Sequence, residues 1–123
     1  MLAILAVGAG GTLGALSRYG ADRLIEHHLA TVFPWSTFVI NVTGCFLAGL
    51  TIVALVDRHH EPSWLGLGLV TGFLGAFTTF STFEQETYHL GTSHLPLAAA
   101  YVAVSVTAGL VGVWAGALAG RHL

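Results

Sequence analysis

The stretch of this chain most suited to chemistry is Gly72-Phe73-Leu74-Gly75-Ala76-Phe77-Thr78-Thr79-Phe80-Ser81-Thr82-Phe83. It sets two glycines, four phenylalanines and four hydroxyl side chains into one otherwise apolar run. Threonine is stiff at χ1, and Ser and Thr compete with a helix for its own backbone groups. The composition therefore predicts a helix that breaks near the middle of the run. Unwound backbone inside a membrane persists only where protein or a water-filled cavity satisfies it, and there it offers carbonyls to cations and N–H groups to anions. The competing reading is a continuous helix whose hydroxyls bond back one turn.

Other polar positions point the same way. Phe80 and Phe83 lie three apart on one helical face, beside a polar stripe of Thr79, Thr82 and Glu86. Earlier in the chain Thr37, Asn41, Gly44, Cys45 and Ala48 share a face on which Asn41 is the strongly polar member. Its amide reads either as interhelical glue or as a donor to a ligand. Later, Tyr101, Ser105, Gly109, Gly112 and Gly116 line up. A phenylalanine pair is ordinarily core, and what argues for more is the polar stripe next to it. The apolar spans hold no acidic residue before Glu84 and Glu86. A proton-coupled transporter keeps a carboxylate at depth, so this pattern favours a passive pore over an exchanger. The adjacent pairs His27-His28 and His59-His60 lack the one-turn spacing of helical metal sites. With no nucleophile–base motif or phosphate loop in view, an enzyme is set aside.

The elements that must carry these residues follow from hydropathy. Of 123 residues 54% are hydrophobic and 8% charged, where a soluble domain carries about 25% charged. A spanning helix needs about 20 apolar residues, and four runs qualify, at roughly 2–21, 34–56, 62–89 and 96–120. Pro34, Pro62 and Pro96 each stand at a helix start. The connections, 22–33, 57–61 and 91–95, are too short to fold alone, so residues 1–123 form a single domain, an all-α membrane protein of four transmembrane helices. Met1-Leu2-Ala3 carries no basic segment, so the first run is expected to stay in the mature protein. The single Cys45 reads as a small buried hydrophobe, and the four arginines are too scattered for a nucleic-acid surface. Gly10 and Gly14, Gly68 and Gly72, and Gly112, Gly116 and Gly120 recur at four-residue spacing, which predicts tight helix pairing.

Three segments make the chain resemble the Fluc (CrcB) family of fluoride channels over nearly its whole length. They are Gly10-Gly11-Thr12-Leu13-Gly14-Ala15-Leu16-Ser17-Arg18-Tyr19, then Pro34-Trp35-Ser36-Thr37 with Asn41-Val42-Thr43-Gly44-Cys45-Phe46, and the 72–83 string quoted above. Ser36-Thr37 stands where the family often reads Gly-Thr. The resemblance implies a dual-topology homodimer in the cell membrane, with two fluoride pathways. It implies a structural, non-transported sodium ion at the dimer centre, held by the backbone carbonyls of Gly75 and Thr78. It makes Asn41 the pore asparagine and Phe80 and Phe83 an aromatic box. Ser81, Thr82, Glu86, Tyr101 and Ser105 become pathway or vestibule residues, and Arg18 falls at the wide aqueous entrance.

Charge counting bears on orientation without the resemblance. Four spans put Arg58 and Arg121 on one side, and Arg23 with Arg18 on the other. Insertion follows the Lys and Arg of short loops, and here that bias is close to zero. The expectation is insertion both ways and an antiparallel dimer pairing through the glycine faces. Two rivals remain: a small multidrug exporter, which needs a carboxylate in its first helix where this chain has none before Asp22, and a passive scaffold subunit.

Overall fold

The computed structural model describes residues 1–29, 31–57 and 64–123. Arg58, the His59-His60 pair, Glu61 and the expected helix start at Pro62 lie outside the described residues. Helix α1 spans Leu2–His28, and α2 spans Trp35–Thr51, widening into a π-helical stretch over Ile52–Asp57. Helix α3, residues 64–77, is an α-helical turn (Trp64–Leu67), a π-helical segment (Gly68–Leu74) and a last turn (Gly75–Phe77). Helix α4 spans Phe80–Ser93 and α5 spans Leu95–Gly120. The described residues contain no strand. Leu2–His28, Trp35–Leu55, Trp64–Ser93 and Leu95–Gly120 are each long and apolar enough to cross a membrane.

Two connections are shorter than the sequence suggests. Helix α1 continues past residue 21 because 22–28 contains neither glycine nor proline, and the His28 ring donates to the Leu24 carbonyl at 2.9 Å in its last turn. Helix α4 continues through Gly91, and only His94 separates it from α5. The His94 N–H closes α4 on the Leu90 carbonyl at 2.6 Å, and Pro96 takes its place in the first turn of α5, where its missing N–H costs nothing.

Glycines set the packing. Along the α2–α5 seam, a Cβ on Gly116 would run into the Phe46 carbonyl and one on Gly49 into the Val113 carbonyl. Along α1 and α3, Gly10 meets the Gly68 carbonyl, Gly14 meets the Phe73 backbone, and Gly72 lies against Val7 and Gly11. These stripes are therefore used up inside one chain. This corrects the expectation that the glycine faces are free to pair two copies: those backbones are already covered within one chain, and any second copy would have to use a different surface. Large apolar side chains such as Leu5, Leu110 and Trp114 point outward, as a lipid-facing surface requires. The buried cluster of Phe83, Leu90, Ala98 and Tyr101 joins α4 to α5, with Phe33 and Phe38 packed on it.

Between α3 and α4 the chain leaves helical geometry for two residues. Thr78 has φ −80° and ψ 159°, and Thr79 has φ −147° and ψ 113°. Thr79 then caps α4, its Oγ1 accepting the Thr82 N–H at 3.3 Å.

Candidate functional site

The two extended residues are held from outside their own span. Asn41 on α2 accepts the Thr79 N–H on its Oδ1 at 2.8 Å and donates through Nδ2 to the Thr79 carbonyl at 3.0 Å. The glue reading of Asn41 thus describes part of its work, since the amide clamps both backbone groups of one residue, the N–H and the C=O of Thr79. An amide nitrogen carries two hydrogens, so one N–H remains after this pairing.

This clamp has a consequence for the carbonyls behind it. A continuing helix would give the Thr79 N–H to Gly75 and the Thr82 N–H to Thr78. The first goes to Asn41 and the second to the Thr79 hydroxyl. Gly75 and Thr78 are therefore among the carbonyls at the end of α3 that lose their i+4 donors. Neutral carbonyl oxygens in a region without a carboxylate suit a hard monovalent cation better than a divalent one, so these two residues fit the sodium ligands that the resemblance implies. The Thr78 carbonyl also accepts from Arg18 Nη1 at 3.3 Å. Arg18 is half-buried, and the structure seats it on this backbone.

Beside the interruption lies an open-sided cavity of about 250 Å³. Helix α2 contributes Asn41 and Cys45, the interruption and α4 contribute Thr78, Thr79, Phe80 and Phe83, and α5 contributes Ser105. The Ser105 hydroxyl is buried there with no hydrogen-bond partner among the described residues. The Phe80 and Phe83 rings lie 5.9 Å apart and tilted by 42°. Their settings differ: Phe83 is 7% exposed and packs on Tyr101 with centroids 5.1 Å apart, whereas Phe80 is 74% exposed.

One turn before Asn41 on α2 a second polar cluster forms. Thr37 Oγ1 donates to Glu86 Oε1 at 2.7 Å, and the Tyr101 hydroxyl donates to Glu86 Oε2 at 2.8 Å. Thr37 and Tyr101 are both fully enclosed, while Glu86 opens onto two further cavities of about 350 and 330 Å³. His89 and His94 face the first of these and Glu26 the second.

The structure thus gathers Asn41, Phe80, Phe83 and Ser105 at one cavity and joins Glu86 to Tyr101 one helical turn away. Thr82 pairs its hydroxyl with that of Thr79 at 2.9 Å. Ser81 is exposed and is not among the residues lining the central cavity. Two further candidates emerge from the packing. Thr37 closes the Glu86 cluster, and Cys45 is half-buried at the cavity wall where a buried apolar role was expected. The signal for both was their one-turn spacing from Asn41 on the same face.

Comparison with known proteins gives a consistent result. A family model described as CrcB-like protein, Camphor Resistance (CrcB), matches residues 5–117. A fluoride-specific ion channel FluC of Acidobacterium capsulatum is 45% identical over 95% of this chain and 94% of its own. The proteins of that name from Hydrogenovibrio crunogenus and Geobacter sulfurreducens are 40% and 41% identical, covering 99% and 100% of this chain and 93% and 100% of theirs.

Proposed function

The chain belongs to the CrcB family, and from that premise we propose that this multi-pass membrane protein is a channel passing fluoride down its gradient. The observation that carries the proposal is the cavity lined by Asn41, Ser105 and two phenyl rings, with the Ser105 hydroxyl unpaired among the described residues. Fluoride is small, strongly hydrated and a strong hydrogen-bond acceptor. A dry path must replace its water with donors already pointing inward, and an unpaired buried hydroxyl is such a donor. The positive edge of a phenyl ring adds a weaker attraction for an anion. From this cavity the polar line continues along α2 to Thr37, Glu86 and Tyr101, and so to the outer cavities.

The finer reading is a homodimer of oppositely inserted copies in the cell membrane, with two pathways and the α3–α4 interruption near mid-membrane. Near-balanced arginines support insertion both ways. The outward exposure of Gly75 and Phe80 supports a second copy meeting the interruption. In such a dimer Gly75 and Thr78 of each copy would supply backbone oxygens to a structural sodium ion. When bound, that ion adds positive potential to a low-dielectric centre. Ser81 and Thr82 are assigned to the path or its vestibule on the resemblance. The physiological role is relief from fluoride that enters as neutral hydrogen fluoride and ionises inside.

Fluoride-electrode recording from proteoliposomes tests the function. Fluoride efflux without a proton gradient is the expected result, whereas drug–proton exchange or no flux would return the exporter or the scaffold. A C-terminal reporter found on only one side of the membrane would overturn the two-way insertion while leaving the flux result standing.

A further inference from the structure

We infer that Arg18 is a tethered cation that competes with sodium for the Thr78 carbonyl, and thereby sets how tightly the α3–α4 interruption holds the ion. The inference rests on the reading above in which that carbonyl is a sodium ligand. The carbonyl is open to capture because the Thr82 N–H is spent on the Thr79 hydroxyl. Arg18 Nη1 takes it at 3.3 Å, the long end of hydrogen-bond range and therefore a contact that a better partner displaces. A guanidinium is a cation with five N–H donors and no acceptor.

Sequence and packing explain why Arg18 reaches this atom. Gly14 has no Cβ, and its backbone rests directly on Phe73. Arg18 is one helical turn further along the same face of α1, and Thr78 follows Phe73 at the end of α3. The closest approach of the two helices therefore delivers the guanidinium to the first carbonyl beyond α3. A carbonyl has two lone pairs, but a guanidinium and a sodium ion sharing it would sit within roughly 6 Å of each other, where a half-buried setting makes their repulsion several-fold larger than in water. The two cations therefore exclude one another.

The test is equilibrium binding of radioactive sodium to the purified full-length protein, first dialysed into N-methylglucamine chloride and free of fluoride. Arg18→Gln keeps a neutral N–H donor and removes the charge, and its half-saturating sodium concentration should fall roughly tenfold below that of the parent. Arg18→Lys, shorter and unable to hold the same geometry, should fall between the two. A purely structural role for Arg18 moves the value the other way, because an unsupported carbonyl binds sodium less well. An unchanged or raised half-saturation in Arg18→Gln overturns the competition while the sodium reading stands. A parent protein that binds no sodium overturns both. Should Arg18→Gln fail to fold, Arg18→Lys alone decides: a lower half-saturation than the parent supports competition, and an equal or higher one overturns it.

Discussion

The α2–α5 seam and the α3–α4 interruption solve opposite problems with neighbouring residues. At the seam, Gly49 and Gly116 let two continuous helices touch backbone to backbone, so helical hydrogen bonds stay intact and dispersion supplies the attraction. At the interruption, two residues abandon the helix and side chains take over their backbone partners. Helix α5 belongs to both regions, carrying Gly112 and Gly116 on the seam and Ser105 two turns earlier in the cavity. The difference teaches how an unpaired donor survives in an apolar environment. Leaving a buried hydroxyl without a partner costs about 1–3 kcal/mol, and close packing along the same helix holds the wall that keeps it so.

The largest effect expected comes from breaking the seam. In Gly116→Val a side chain meets the Phe46 carbonyl, and relief requires the two helices to part. Overpacking a well-packed side-chain core costs about 1–3 kcal/mol, and occasionally more. Here the obstacle is backbone, so the upper end applies. Size-exclusion chromatography should give no monodisperse protein. Gly20→Ala, with nothing within 4 Å of the added methyl, should elute and conduct like the parent. A well-behaved Gly116→Val would mean that the seam does not fix the frame.

Next comes the clamp. Asn41→Asp keeps an acceptor for the Thr79 N–H, but it turns the donor side into an oxygen facing the Thr79 carbonyl now 3.0 Å away. It also puts a charge at the cavity wall. Fluoride efflux should be abolished in a protein that still elutes as folded, because the seam is untouched. Normal efflux in this variant would remove Asn41 from the pathway.

The contrast between the two regions also explains what was readable from residues alone. Hydropathy marks the spans, and Pro34 and Pro96 mark two of their starts, since spanning length and the missing N–H of proline act locally. One-turn spacing put Thr37, Asn41 and Cys45 on one face for the same reason. What periodicity does not carry is the rotation of one helix against another. Asn41 and Thr79 are joined across 38 positions, Thr37 and Glu86 across 49, and Arg18 and Thr78 across 60. Each pairing depends on crossing geometry fixed by glycine contacts elsewhere. The glycine stripes misled on which surfaces they join because a four-residue repeat specifies a close approach without naming the partner, and within this chain α1 with α3 and α2 with α5 consume it.

A smaller effect separates the two rings. Phe80→Ile changes a side chain that is 74% exposed, so the fold of a single chain should be unaffected. Phe83→Ile alters one packed on Tyr101, at a cost of about 1.5 kcal/mol or less if volume is conserved. Strongly slowed efflux in Phe80→Ile with an unchanged melting curve would isolate a role in the path. If only Phe83→Ile loses flux, and loses it in proportion to stability, the core reading of the pair is the right one.

The smallest change tests the idea that the interruption keeps a donor in reserve. Ser105→Ala removes one cavity-lining oxygen that is buried and unpaired among the described residues. Stability arguments then run opposite to functional ones. Deleting an unsatisfied buried hydroxyl relieves its desolvation penalty, so the variant should melt at the same temperature as the parent or slightly above it. A hydrogen bond to a charged group is worth about 1.5–3 kcal/mol, so losing one from the transit of fluoride should slow efflux by roughly tenfold or more. Ser105→Thr retains the hydroxyl and should recover much of the flux, provided the added methyl fits the open side of the cavity. Because the two readouts are expected to diverge, a general loosening of the helix cannot imitate the result. If Ser105→Ala conducts at the parent rate, the hydroxyl takes no part in moving the ion. The convergence of donors at this cavity would then rest on Asn41 alone.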